Sequence, residues 1–278
     1  MKVEELIEQF EDILMRVKNE APLIHCITNP ISINACANVV LAMGAKPIMA
    51  EHPLEVEAIT SKAGALAVNL GNITDARMQS IIASGHMAKK KNIPSIIDLV
   101  GVTCSKLREE LAFKYIKECA PAIIKGNISE VKTMAGVISD APGIDVSDND
   151  IVTGEDICKL HDISELIKEY AADVKAVVIA SGVIDIVSDG VDVFCLRNGS
   201  KYMSGVTGTG CMLNVCAATL LSNASPLCAA VLSTALMGVC GELADAKKGL
   251  GTYAVEFLDK ISTITPEQII QKIKIETI

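Results

Sequence analysis

Tryptophan is absent from this chain, and tyrosine and phenylalanine occur four times each in 278 residues. So few rings exclude the aromatic platform on which single-stranded nucleic acids stack. Positive charge is also scarce. Lys and Arg number 25 against 34 Asp and Glu, a formal net charge of −9, and Lys89-Lys90-Lys91 is the only basic cluster. No nucleic-acid partner is expected, and the triplet reads as a helix end, where cations oppose the terminal dipole. None of the ten cysteines forms a C-x-x-C pair; they are scattered among apolar neighbours, as Cys36, Cys216, Cys228 and Cys240 are. No His/Cys/Asp cluster has zinc spacing. The opening Met1-Lys-Val-Glu-Glu-Leu-Ile-Glu reads as an acidic amphipathic helix without the apolar core of a signal peptide. Buried free thiols and a cytoplasmic location are the expectation.

A long uninterrupted hydrophobic run is missing as well. The most apolar stretch, residues 211–244, is broken by Asn223-Ala-Ser-Pro226 into two segments, each shorter than the roughly 20 residues that a membrane span requires. Buried helices and no membrane partner follow. What is present is small and aliphatic: half of all residues are hydrophobic. Short β-branched runs at 23–27, 46–49, 66–69, 95–98, 122–124 and 177–180 read as strands buried on both faces. Helical patterns lie between them, such as 75–91 with Met78, Ile81, Ile82 and Met87. This alternation predicts an α/β fold with a parallel sheet. Runs 184–188 and 191–196 flank Asp189-Gly190, a hairpin signal, so the sheet should end in an antiparallel pair next to the glycine turn at 206–211. Thr265-Pro-Glu-Gln268 opens a helix with a cap, a proline and a Gln three residues on. With no linker, repeat or low-complexity run, residues 1–278 read as one domain.

Open α/β sheets bind ligands beyond the carboxyl ends of their strands. The polar residues there are Thr28-Asn29, Met49-Ala50-Glu51, Asn69-Leu-Gly71, Asp98, Lys125-Gly126-Asn127 and Ser181-Gly182. Amide, carboxylate, cation, hydroxyl and glycine turns at one rim are the inventory of phosphoryl transfer. Val206-Thr-Gly-Thr-Gly-Cys211 then runs into an apolar helical segment. Backbone N–H groups of Gly208, Thr209 and Gly210 at such a helix start form an anion hole; a turn that only tightens a connection has the same pattern. No G-x-x-x-x-G-K-[ST] occurs, and a dinucleotide fingerprint needs glycine where Leu213 stands. Cys211, at a helix N-terminus, should have a lowered thiol pKa, though a buried small hydrophobe is the plainer account. Asp98 also fits a cap, Glu130 a first-turn acid, Met49 core packing, and His25 a structural histidine. Lys125 after an apolar strand needs a partner or a rim position.

Six segments in order carry a resemblance over nearly the whole chain: His25-Cys-Ile-Thr-Asn29, Met43-Gly-Ala-Lys-Pro-Ile-Met-Ala50, Ala63-Gly-Ala-Leu-Ala-Val-Asn-Leu-Gly71, Ile97-Asp-Leu-Val-Gly101, Ile124-Lys-Gly-Asn-Ile-Ser-Glu130 and Val206-Thr-Gly-Thr-Gly-Cys211. They resemble the motifs of the hydroxyethylthiazole kinases, members of the ribokinase-like superfamily. The resemblance implies a three-layer α/β/α sandwich with a mostly parallel central sheet. It also implies phosphorylation of the hydroxyethyl group of 4-methyl-5-(2-hydroxyethyl)thiazole by ATP with Mg2+ in thiamine salvage, in a homotrimer with interfacial active sites. By the same resemblance Met49 and Gly208 match thiazole-contacting positions, and Lys125 and Ser181 match ATP-contacting ones. Asp98 and Glu130 fall at the magnesium-linked acids, and Cys211 where related sugar kinases place a catalytic Asp. The chain departs from the family pattern at Leu99, usually Pro, at Lys125, usually Arg, and at Val183, usually Glu. Two alternatives stay open: a hydroxymethylpyrimidine or pyridoxal-type kinase, and a non-catalytic thiazole- or nucleotide-binding protein on the same fold.

Overall fold

The computed structural model describes residues 2–137 and 156–278. Its strands are β1 (Leu23–Ile27), β2 (Lys46–Ile48), β3 (Ala65–Asn69), β4 (Ser95–Asp98), β5 (Ile123–Asn127), β6 (Val177–Ser181), β7 (Asp185–Ser188), β8 (Val193–Leu196) and β9 (Ile275–Thr277). They form one sheet in the order β2-β1-β3-β4-β5-β6-β7-β8-β9. Pairing is parallel from β2 across to β6 and antiparallel from there to β9.

Successive side chains of a strand point to opposite faces, and here both faces are apolar. Ala65, Ala67, Ile96, Ile123, Val177 and Ile179 face one helical layer, and Leu66, Val68, Ile97, Ile124, Val178 and Ala180 face the other. The first layer holds α1 (Val3–Ile7), α2 (Phe10–Glu20), α3 (Ile33–Ala42), α9 (Thr209–Leu221), α10 (Pro226–Leu243), α11 (Leu250–Thr263) and α12 (Pro266–Lys272). The second holds α4 (Val56–Thr60), α5 (Asp75–Lys91), α6 (Lys106–Cys119), α7 (Ile128–Met134) and α8 (Ile157–Val174). Local signals agree with these bounds. Thr74 Oγ1 accepts from the Arg77 N–H at the start of α5, and Lys89, Lys90 and Lys91 close it before Asn92 turns left-handed. Thr265 and Gln268 form a reciprocal cap on α12. The N-terminal helix is short, and Met1 lies outside the described residues. Among the described residues α10 alone is long and apolar enough to cross a membrane, and 83% of it is buried inside the molecule. It is the core helix packed on α9 and on β6 to β8.

Several expected limits move. Strand β5 continues through Lys125 to Asn127 and β6 through Ser181, because their parallel register pairs Lys125 with Ile179 and Asn127 with Ser181. Strand β2 stops at Ile48, which leaves Met49 in the following loop. Strand β8 starts at Val193, because the Asp189 carboxylate accepts from the N–H groups of Val191 and Asp192 and holds both in the turn. The sheet gains a ninth strand, the largely exposed β9, whose sequence carries no apolar run to signal it. The antiparallel strands are also not beside the glycine turn. Helix α9, buried from Cys211 to Leu221, packs over β1, β3 and β4 in the other half of the sheet. A helix that is apolar all round needs cover on every side, and only the middle layer contact provides it.

Gly190, in the hairpin turn, has φ +88°, and a Cβ there would lie 2.7 Å from backbone atoms of Ala172 in α8. The left-handed backbone costs a residue with a Cβ about 1–2 kcal/mol, and crowding against backbone adds about as much again. Gly190→Ala should therefore lower the unfolding free energy by about 2–4 kcal/mol, read as a lower urea midpoint at unchanged m-value.

Candidate active site

The alternation that directs Ala65 and Ala67, Ile96, Ile123, and Val177 and Ile179 toward α9 and α10 continues to the carboxyl end of β3, β4 and β6 and to Lys125 within β5. There the row turns polar. Asn69 pairs with Asp98, and Asp98 with Lys125, in register across β3, β4 and β5; Ser181 ends β6 on the same face. Lys125 Nζ donates to Asp98 Oδ1 at 2.9 Å. Asn69 Nδ2 donates to Asp98 Oδ2 at 2.8 Å and lies 3.3 Å from Cys211 Sγ. Asp98 is fully buried and Lys125 is 3% exposed. Burial pulls the Lys125 ammonium down, but the charges of Asp98 and Glu130 outweigh it and hold the group protonated. Burial pushes the Asp98 carboxyl up, against Lys125 and Asn69, which pull it down.

Above this row sits the glycine turn. Gly208 caps α9 with φ +90°, and its Cα lies so close to Ser32 that a Cβ would meet Ser32 Cβ at 2.9 Å. Ser32 ends the single 3-10 turn Pro30–Ser32 that follows β1. A Cβ on Gly210 would lie 3.1 Å from Lys125 Nζ, so the ammonium looks directly at the first turn of α9. Met212 N donates to Gly208 O at 2.8 Å; the N–H groups of residues 209–211 precede that first bond and have no acceptor within the helix. The Thr209 hydroxyl donates back to Met203 O at 3.3 Å.

The structure thus brings Asp98, Lys125, Cys211, Gly208 and Gly210 into one cluster. Glu130 lies at its edge. Its Oε1 accepts from Gly101 N and its Oε2 from Asn127 N, both at 2.8 Å, while Asn127 Oδ1 accepts from Glu130 N. A reciprocal cap of this kind secures the start of α7. Ser181 Oγ donates to Gly126 O at 3.2 Å, at the β5–β6 edge of the rim. Met49 is partly buried against the layer that holds α3, on the β2 side and apart from the polar row. The lowered thiol expected at Cys211 is not found. Its Sγ is in a residue only 7% exposed, and burial first, then the Asp98 charge, push the thiol up against Ser32, Lys125 and Asn69. The helix terminus is present, but its effect on the thiol is outweighed by lost hydration.

The sequence places Asn69 among the polar strand ends without a role of its own and gives Ser32 no place at all. Asn69 was readable, because a residue two positions beyond Ala67 must face α9. Ser32 was not, because only the fold lays the β1–α3 turn against residue 208. Among the described residues no three His, Cys, Asp or Glu gather as a metal cage. Both oxygens of Asp98 and of Glu130 already accept hydrogen bonds. That donor set does not fit direct ligation of magnesium. It fits a hydrated ion, whose water the remaining lone pairs can accept.

Burial raises the Glu130 carboxyl from 4.5 to about 7. The folded chain then keeps a proton that the unfolded chain releases, so the contribution of Glu130 to stability is fully present below 4.5 and is lost as pH rises through about 7, by up to about 3 kcal/mol. Asp185, also raised to about 7 by burial, adds a parallel slope. Urea unfolding across this window should show a shallower fall for Glu130→Gln than for the unaltered chain. Equal slopes would assign the whole dependence to other groups.

The sequence profile of the Hydroxyethylthiazole kinase family matches residues 14–267. The chain is 50% identical over 261 residues to Hydroxyethylthiazole kinase 2 of Clostridium botulinum, covering 94% of this chain and 97% of that one. It is 37% identical over 284 residues to the hydroxyethylthiazole kinase of Methanobrevibacter smithii, covering 98% of each. The solved structure of the hydroxyethylthiazole kinase protein of Pyrococcus horikoshii superposes with a TM-score of 0.86 at 26% identity, covering 98% of this chain and 99% of that one. A pyridoxal kinase of Staphylococcus aureus in complex with AMP-PCP, at 14% identity and TM-score 0.62 over 92% of this chain and 97% of its own, shares the fold. The sheet flanked by two helical layers is accordingly the ribokinase-like three-layer α/β/α arrangement, and the chain belongs to the hydroxyethylthiazole kinase family.

Proposed function

We propose that this chain, working as one kinase domain, transfers the γ-phosphoryl group of ATP to the hydroxyethyl group of 4-methyl-5-(2-hydroxyethyl)thiazole, the thiamine-salvage reaction of its family. The observation that carries the reading is the in-register row Asn69–Asp98–Lys125 beneath the glycine turn of α9, with Cys211 between them. The acceptor alcohol lies between Met49 and Gly208, and the transferring group passes over residues 208–210. Free N–H groups of that turn stabilise charge on the phosphoryl oxygens. Lys125, held by Asp98, adds its positive charge behind Gly210, and Ser181 stands at the nucleotide side of the rim. Magnesium bound with the nucleotide neutralises phosphate charge, and Asp98 and Glu130 would hold its water.

A thiol pushed up by burial is a poor base. The role that suits Cys211 is to order the acceptor hydroxyl, itself held in place by Asn69. A loose phosphoryl-transfer transition state asks little of a base, so positioning dominates. Val183, where the resemblance leads one to expect Glu, is 65% exposed on the β6–β7 turn. We place the enzyme in the cytoplasm, in keeping with ten cysteines of which none forms a disulfide. We also propose a homotrimer whose pockets are completed by a neighbouring copy. Supporting it, Ile31 and Leu54, flanking the proposed acceptor side, are 71% and 91% exposed.

ADP release measured with a panel of vitamin alcohols should favour the thiazole alcohol; preference for pyridoxal or a hydroxymethylpyrimidine would overturn the substrate. Cys211→Asp should stay active, and Cys211→Ala should lose about 10²-fold or less, the low end for one proton-transfer group. Gly208→Val should abolish transfer, because its Cβ would strike Ser32. Sedimentation at micromolar protein should give about three times the chain mass; a monomer with full activity would contradict the shared pocket.

A further inference from the structure

Arg77 stands in the first turn of α5, with its side chain 4% exposed. Neither place favours a cation. The N-terminal end of a helix carries partial positive charge, and burying a guanidinium is costly unless its donors are matched. Burial accordingly pulls its pKa down, with Glu51 opposing. Its donors are matched in an informative way. Nε donates to Asn72 O at 2.9 Å, Nη2 to Thr28 O at 2.5 Å, and Nη1 to the Glu51 carboxylate. Thr28 follows β1, Glu51 follows β2 and Asn72 follows β3, and these strands are neighbours in the sheet. One guanidinium therefore ties together the carboxyl ends of three adjacent parallel strands.

Two further buried groups grip the same loop. Ser80 Oγ, one turn along α5, lies 2.8 Å from Glu51 O. His25 Nε2 lies 2.9 Å from Ala50 O and Nδ1 2.8 Å from Thr60 Oγ1. A carbonyl only accepts, so Nε2 carries the proton and the Thr60 hydroxyl donates to Nδ1, which keeps the ring neutral. Ala50 and Glu51 are thus held by three side chains immediately after Met49. On the other arm, Thr28 leads into the Pro30–Ser32 turn against which Gly208 packs.

We propose that Arg77 is a positioning residue for the acceptor alcohol. It sets the separation of the Met49 loop from the turn behind Gly208, and thereby the fit of the alcohol, without touching the nucleotide. The proposal rests on the acceptor side assigned above to Met49 and Gly208.

Arg77→Lys keeps the charge but loses the fork that reaches three acceptors. It should raise the KM for the thiazole alcohol about tenfold or more, since small misplacements of reacting groups are costly. The KM for ATP should change less than about twofold. Glu51→Gln and Ser80→Ala should move the alcohol KM in the same direction by less, and they carry the test if Arg77→Lys does not fold. An unchanged alcohol KM, or equal rises in both KM values, would make Arg77 merely structural and overturn the proposal. If the unaltered chain prefers a different alcohol, the substrate reading fails by itself, and the same KM split with that alcohol still decides the role of Arg77. If no alcohol turns over, calorimetric titration with the thiazole alcohol and with ATP reads the split as Kd. Failure of the unaltered chain to bind the thiazole would overturn both readings together.

Discussion

Asp98 and Lys125 are directly opposed on neighbouring strands at the end of an otherwise apolar row, their charged atoms 2.9 Å apart and both buried. Taking two such charges out of water is expensive, and the pair persists only because its remaining valences are met by Asn69 and by the surrounding charges. Removing one partner would leave the other buried and uncompensated. The whole rim is organised around that requirement. Asn69 satisfies Asp98 and reaches Cys211, Lys125 backs the glycine turn, and Glu130 closes the turn at Gly101. An apolar row would pack as well and cost less. The row ends in charge at the carboxyl edge of the parallel sheet, the side on which open α/β sheets bind ligands.

The glycine turn answers a packing constraint as much as a chemical one. Its two glycines are flanked by Ser32 on one side and the Lys125 ammonium on the other, at distances no side chain would fit without displacement. Close approach of this kind brings the backbone at the start of α9 directly against Ser32 and the Lys125 ammonium. The buried setting also governs Cys211. Burial of Cys211 disfavours its thiolate, so the residue is better suited to ordering a hydroxyl than to deprotonating it.

Two departures from the family pattern have structural consequences of opposite weight. Leu99 N donates to Lys125 O at 2.8 Å. A proline has no such donor, so this chain ties β4 to β5 one residue further than the family pattern allows, next to the Asp98–Lys125 pair. Val183, by contrast, is exposed on the β6–β7 turn.

Much of the architecture was legible in the order of residues. Apolar runs of strand length bounded by Asn, Asp and Gly specify buried parallel strands because a sheet covered on both faces tolerates no alternation, and Thr74, Asn127 and Thr265 mark helix starts through their own side chains. The polar strand ends, and the glycines at the start of α9, are local features, so their presence could be read directly. Other features depend on contacts between segments far apart in the chain: Arg77 spanning three strand ends, Ser32 behind Gly208, the place of α9 over β3 and β4, and the direction in which Cys211 titrates. The sequence by itself determined which groups stand at the rim; only the tertiary structure decided which of them meet and how strongly burial shifts their charge, because register, packing and desolvation do not exist until the strands and helices are assembled.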